Sequence, residues 1–253
     1  MSEVFQESEE KREMMSNKKR LSTGGKEISH PHFAAFYTWM MKLPVIQQGL
    51  APLRRETAGQ AHGLVLEVGA GGGQNFLFYE KNRVEQVEAV EPDEAMLAEA
   101  RRNQERASVP LHLTRALVEA LPFPDAYFDS VVVTFVLCSV HDPERSLREI
   151  WRVLKPGGGL LLLEHVRAQG RIASGIQDAL VPLTTRCLGE CHWNRDTGAT
   201  VREVGFEVTH VRKEGGGLQP LLLLQARRNA TPEQMEAVKP LSERIETTFT
   251  HSL

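Results

Sequence analysis

The segment Leu64-Val65-Leu66-Glu67-Val68-Gly69-Ala70-Gly71-Gly72-Gly73-Gln74-Asn75 restricts what this chain can fold into more than any other. An apolar run ends in an acidic residue, and glycines then stand at 69, 71 and 73. The pattern reads as a buried strand that breaks into a tight loop, where a ligand meets bare backbone. Glycine supplies positive φ there and permits an approach that a Cβ would block. A dinucleotide fingerprint needs Gly-x-Gly-x-x-Gly after the strand. Counted from Gly69 the third glycine falls on Gln74, and counted from Gly71 it falls on Phe76. Neither register fits, which argues against an NAD-dependent dehydrogenase.

Beyond residue 64, apolar runs alternate with helical patterns, as a parallel sheet with crossover helices requires. Strand-like runs lie at 64–68, 86–91, 111–115, 129–136, 159–165, 206–212 and 218–226, with helical patterns near 74–81, 93–106, 143–154, 172–187 and 196–204. Only Lys213 to Gly217 separate the last two runs, whereas a parallel crossover needs about a dozen residues. The expected fold is therefore α/β, a seven-stranded, mostly parallel sheet with an antiparallel last strand and helices on both faces. Residues 1–27 read as a charged arm, 28–60 as an N-terminal helical segment, 61–228 as the main domain and 229–253 as a polar tail. Within the second segment Phe33, Phe36, Tyr37 and Met40 recur at helical spacing, and Pro44 limits continuation of that helix. That face suits either core packing or a lid over a cleft.

Composition narrows the partners. A net charge of −3 and a pI near 6.3 give no electrostatic reason to expect nucleic acid. No run approaches the ~18 apolar residues of a spanning helix, and the first residues are too polar for a secretory signal. The three cysteines, Cys138, Cys187 and Cys191, are too few for a disulfide framework. A reducing cytoplasm, no stable membrane anchor, and a monomer or homodimer are the expectations.

The chemistry-bearing residues gather where the strands end. Glu91, followed by Pro92, leaves the second strand about twenty residues after the glycine loop, where a carboxylate can accept from both hydroxyls of a ribose. Asp93 is placed to cap the following helix. Phe135 to His141, including Val136 and Cys138, follow the fourth strand and face the ligand side of such a sheet. Strand five ends in Glu164-His165-Val166. His165, His141 and His192 are the candidate general bases, since unperturbed imidazoles titrate near neutrality. Cys187-Leu188-Gly189-Glu190-Cys191-His192 invites a zinc reading, but no second Cys/His pair answers it at finger-like spacing, so no metal is expected. The segment reads instead as a wall of the substrate pocket.

Glu67-x-Gly69-x-Gly71-x-Gly73 resembles motif I of the class I S-adenosylmethionine (SAM) methyltransferases. Leu121 to Asp129 resembles that family's loop before strand four, and Arg148 to Gly158 its helix and Pro-Gly-Gly turn before strand five. The broader likeness is to the ubiquinone/menaquinone-biosynthesis type. Leu137-Cys138-Ser139-Val140, Arg148-Glu149, Lys155-Pro156-Gly157-Gly158 and Glu164-His165-Val166 resemble the methyltransferase-like-seven thiol S-methyltransferases and their bacterial relatives. The resemblance covers roughly residues 64–226 and implies a Rossmann-like fold, SAM as cofactor and a small-molecule acceptor. By it, Glu67, Gly69, Ala70, Gly71, Gly73, Glu91, Pro92, Leu117, Val118, Phe135 and Val136 would hold the cofactor, and Phe36, Tyr37, Cys138 and Cys191 the acceptor. Leu117 stands where the family carries an Asp for the adenine amino group, so adenine is expected against apolar walls. A thiol is the favoured acceptor. A quinone precursor, a lipid, arsenite held by protein thiolates, or a SAM-binding module without catalysis are the alternatives.

Overall fold

The computed structural model describes residues 37–187 and 191–229. The arm at 1–27, Phe33, Phe36 and the tail from 230 lie outside the described residues. The ordered elements are α1 (Pro44–Glu56), β1 (Gly63–Val68), β2 (Val84–Val90), α2 (Glu94–Asn103), β3 (Leu111–Thr114), β4 (Phe128–Thr134), α3 (Pro143–Val153), β5 (Leu154–His165), α4 (Arg171–Cys187), α5 (Thr197–Val204), β6 (Phe206–Glu214) and β7 (Leu221–Arg228). A helical turn at 37–41 precedes α1, and Pro44 begins α1 where its missing N–H costs nothing.

The strands form one seven-stranded sheet in the order β3-β2-β1-β4-β5-β7-β6. Every pair is parallel except those of β7, which runs antiparallel to both β5 and β6. The short link after β6 therefore makes the expected hairpin. Alternation along β1 sends Leu66 and Val68 to one face, with Val131, Val133, Leu160, Leu147 and Ile150. Val65 goes to the other, with Phe76, Tyr79, Val87 and Ala100. Both faces are covered, so the central strands are mostly apolar, as buried parallel strands are, with Glu67, Ser130 and Glu164 as buried polar exceptions. Aspartates start three of the helices. Asp93 accepts from the amides of Ala95 and Met96, Asp142 from Arg145, and Asp196 from Ala199.

The structure differs from the sequence reading in several places. The last hairpin is shifted, with β6 reaching Glu214 and the link at 215–220. No α-helix spans 74–81; turns and a single 3-10 turn at Phe76–Phe78 occupy it. Asn75 and Tyr79 both reach back to Glu67, and Phe76 is fully buried, which holds this link in a tight path. Strand four stops at Thr134 because Phe135 adopts a left-handed φ of 59° and turns the chain out of the sheet. Lys155 to Gly158 do not form a turn before strand five. They belong to β5 and make an irregularity in its pairing with β4, with Gly157 at φ 79°.

Candidate active site

Strand order reverses at β1, whose neighbours β2 and β4 lead to opposite halves of the sheet. In open α/β sheets ligands bind beyond the carboxyl ends of the strands at such a point. A cavity of about 640 Å³ lies there. Its floor is made by Val68, Gly69, Gly71, Glu91, Pro92, Thr134 and Phe135; one wall by Met96, Leu117, Val118 and Glu119; another by Val136, Cys138, His141, His165, Cys191 and Trp193; and its roof by Tyr37, Met40, Met41, Ile46 and Leu50. An ion pair of 2.8 Å between Lys42 and Glu99 ties the start of the roof to α2. The cavity falls within the size range of small-molecule sites.

The three glycines do different work. All have positive φ. A Cβ on Gly69 would come 2.4 Å from Cγ2 of Val136, and one on Gly73 would come 2.4 Å from the Phe76 ring. Those two glycines allow backbone to pack on side chains. At Gly71 the nearest neighbours would be the end of Gln74 at 3.2 Å, Sδ of Met96 at 3.9 Å and Tyr37 at 4.0 Å, so this glycine leaves space on the cleft side. Its amide donates to Oε2 of Glu91 at 2.9 Å, while the Asp93 amide donates to Oε1 at 3.0 Å. A carboxylate has about four acceptor sites, so Glu91 keeps capacity on each oxygen toward the cavity. Burial pushes its pKa up to about 7, against the pull of those two amides.

Glu67, Ala70, Gly73 and His192 do not line the cavity. Glu67 is the hub of a buried polar network beneath the glycine loop. It accepts from the Tyr79 hydroxyl at 2.9 Å and the Asn75 amide at 3.0 Å; Asn75 also donates to Thr134 and accepts from Arg54 at 2.5 Å. Burial raises the Glu67 pKa to about 7, and burial likewise lowers that of Arg54. This network fixes the loop's path from below. Arg54, Asn75 and Tyr79 were not legible in the sequence, since nothing in their local spacing points to a shared partner.

Glu164 holds the opposite side. Its Oε1 accepts from the amides of Val136 at 2.7 Å and Leu137 at 2.9 Å, and its Oε2 from that of Cys138 at 3.4 Å. It is fully buried, which lifts its pKa to about 7. The turn begun by Phe135 thus ends in a carboxylate cradle that fixes Cys138 at the cavity wall. Arg195 donates to the carbonyls of Leu137 and Val140, and the His192 amide to that of Cys138 at 2.6 Å. Two distant segments are thereby joined, and Cys138, His165 and Cys191 come together with one ligand atom of each within 4.8 Å of the others. His165 packs on the Phe135 ring at 4.7 Å, and its Nδ1 is buried with no hydrogen-bond partner among the described residues. The Cys191 thiol is pulled down to about 5, first by its hydrogen bond with Cys138 and then by His165; the same bond and burial push Cys138 up. His141 lies exposed at the cavity rim. Tyr37 lines the roof, where burial raises its hydroxyl to about 12.

Among the described residues no helix is long and apolar enough to cross a membrane. Residues 66–162 match the family model described as a methyltransferase domain. The chain is similar to the thiol S-methyltransferase TMT1B of Rattus norvegicus, at 35% identity over 147 residues that cover 56% of this chain and 59% of that protein. It is also similar to the ubiquinone/menaquinone biosynthesis C-methyltransferase UbiE of Edwardsiella ictaluri, at 48% over 69 residues, 27% of this chain and 28% of that protein. The chain thus spans less than two thirds of either relative. A crystallised candidate methyltransferase from Bacillus halodurans C-125 shares the fold with a TM-score of 0.61 at 21% identity, covering 72% of this chain and all of that one. With its seven-stranded sheet and single reversed strand, the chain matches a methyltransferase domain over residues 66–162 and shares the fold of crystallised methyltransferases.

Proposed function

We propose that this protein transfers the methyl group of SAM to a small thiol. The observation that carries the methyl-donor half is the floor of the cleft. There an open Gly71 backbone and a Glu91 with spare acceptor capacity sit side by side at the switch point of the sheet. Glu91 suits the ribose hydroxyls, and the methionine portion of the donor suits the loop beginning at Gly69. Leu117, Val118 and Met96 offer adenine an apolar slot, which fits the lack of an Asp at 117.

The sulfonium of SAM supplies an activated methyl group without further help. The chain's own contribution is then positioning, which is worth on the order of 7–11 kcal/mol in favourable cases. The roof at 37–50 excludes water, and Phe135 and Val136 set the depth of the acceptor. A thiol suits the acceptor side because its thiolate forms near neutral pH, with free thiols titrating near ~8.5. The similarity to the thiol S-methyltransferase favours sulfur, and that to the C-methyltransferase keeps a quinol carbon as the second reading. A reducing cytoplasm would keep Cys138 and Cys191 as thiols. The test is an acceptor panel with labelled SAM: alkyl thiols, hydrogen sulfide, quinol precursors, phosphatidylethanolamine and arsenite. Label in a thioether or in methanethiol supports the reading, and label confined to a quinol, to an amine nitrogen or to arsenic refutes it.

A further inference from the structure

We propose that Cys138, Cys191 and His165 form a binding site for a thiophilic divalent cation, Zn²⁺ above all, with a remaining coordination position open to the acceptor cleft. The three residues come from the turn after β4, the segment before α5 and the end of β5, so no local spacing in the sequence announces them. Their ligand atoms lie within 4.8 Å of one another. Two thiolates on one tetrahedral zinc sit about 3.8 Å apart, given Zn–S bonds of ~2.3 Å, so side-chain rotation suffices to close the set. Two sulfurs and one imidazole nitrogen are a donor set that selects zinc over the oxygen-seeking cations.

The surroundings favour a cation. Nδ1 of His165 is buried with no hydrogen-bond partner among the described residues, an arrangement that normally costs free energy and that coordination would relieve. The imidazole packs against the Phe135 ring, tilted by 31° to it. Gln177 braces the far side: its fully buried amide donates to the carbonyls of Val166, Trp193 and Leu218, and accepts from the Ala168 amide. Two thiolates and Zn²⁺ would be neutral together, which suits an apolar cleft. Three protein ligands facing a cavity is the pattern of a site that keeps one position for a substrate.

The role of that position rests on the thiol reading above; the metal site itself does not. An acceptor thiol that coordinates there would release its proton to solvent. Its sulfur would then form the new bond to the methyl carbon as the sulfonium S–CH₃ bond breaks, that electron pair staying on the donor sulfur.

The test uses the metal-depleted full-length protein titrated with Co²⁺. One equivalent should bind with a thiolate-to-cobalt charge-transfer band and the intense visible bands of tetrahedral cobalt, and Zn²⁺ should displace it. Cys138→Ala, Cys191→Ala and His165→Ala should each weaken binding by more than about tenfold. SAM titration of the same variants checks that they remain folded. Addition of 2-mercaptoethanol should strengthen the charge-transfer band if the open position takes a thiolate. Native protein that gives no thiolate band overturns the site, as does full affinity in folded Cys191→Ala or His165→Ala. A band indifferent to 2-mercaptoethanol overturns the open position. Cobalt binding without methyl transfer to any acceptor would sink the proposed function and leave the site standing; thiol methylation by protein that binds no metal would do the reverse.

Discussion

Glu91 offers the sharpest test of how the methyl donor is held. Its carboxyl is buried, with a pKa pushed up to about 7, and each oxygen already accepts one backbone amide. Ribose hydroxyls would donate to the ionised form, so SAM should bind that form preferentially. At pH 6 only about one tenth of a group with pKa 7 is ionised, and at pH 8 about nine tenths, so affinity should rise roughly tenfold, or ~1.4 kcal/mol, across that interval. Glu91→Gln removes the titration and the charge assistance, which is worth ~1.5–3 kcal/mol per hydrogen bond. The variant's dissociation constant at pH 8 should therefore increase by about ten- to hundredfold and lose this part of its pH slope. The α-amino group of SAM itself titrates near ~7.7–8.0, so the diagnostic quantity is the difference in slope between the two proteins. Isothermal titration calorimetry at pH 6, 7 and 8 on both proteins, with melting temperatures to confirm folding, supplies it. Equal slopes, or equal affinity at pH 8, would refute the role given to Glu91.

The two kinds of glycine should separate cleanly. Gly71→Val should abolish SAM binding in a folded protein, while Gly73→Ala, whose Cβ would strike the Phe76 ring, should lower the melting temperature first. Arg54→Met should cost about 3–5 kcal/mol in urea denaturation, because it strips the cation from a buried network around Glu67. Glu67, Glu91 and Glu164 rise from 4.5 to about 7 on burial, so folding favours their protonated forms. Their contribution is full below pH 4.5 and is lost as pH rises through about 7, so ligand-free protein should melt higher at pH 5.5 than at 7.5, and by a smaller margin in Glu164→Gln. Deletion of residues 1–43 removes Tyr37, Met40 and Met41 from the cavity roof. It should raise the KM for acceptor and leave a folded core by circular dichroism; unchanged steady-state constants would show that this part of the roof does not shape the site.

The parts of this fold that the sequence makes plain are those decided by local physics. The run into Gly69 and the Asp93 cap depend on neighbours in the chain and are found where the pattern places them; the link before β7 is short as expected, though it lies at 215–220. The site floor is legible for the same reason, since Gly71 and Glu91 both follow directly from strand ends. What stayed hidden depends on contact across the fold. Nothing near residue 75 hints that Asn75 and Tyr79 would turn inward to Glu67 and displace a helix. Nothing near Phe135 foretells that Glu164 would capture three amides in a row and support a left-handed residue there. Cys138 and His165 are visible as cleft residues, and Cys191 as a pocket wall. Their convergence requires Arg195 and the His192 amide to draw two loops together.

The reversal of β7 also decides how this protein should be handled on a surface. Leu221 starts the strand at the mouth of the cleft, and Arg228 finishes it at the opposite edge of the sheet, where its guanidinium reaches the carbonyls of Arg152 and Leu154. Residue 229 therefore lies on the side of the sheet away from the cleft. A tether or reporter attached after residue 229 begins behind the sheet and leaves the cleft facing solution. One attached just before Tyr37 pulls on the elements that cover it. Immobilisation through the first route should preserve ligand access, and the second should report on the roof itself.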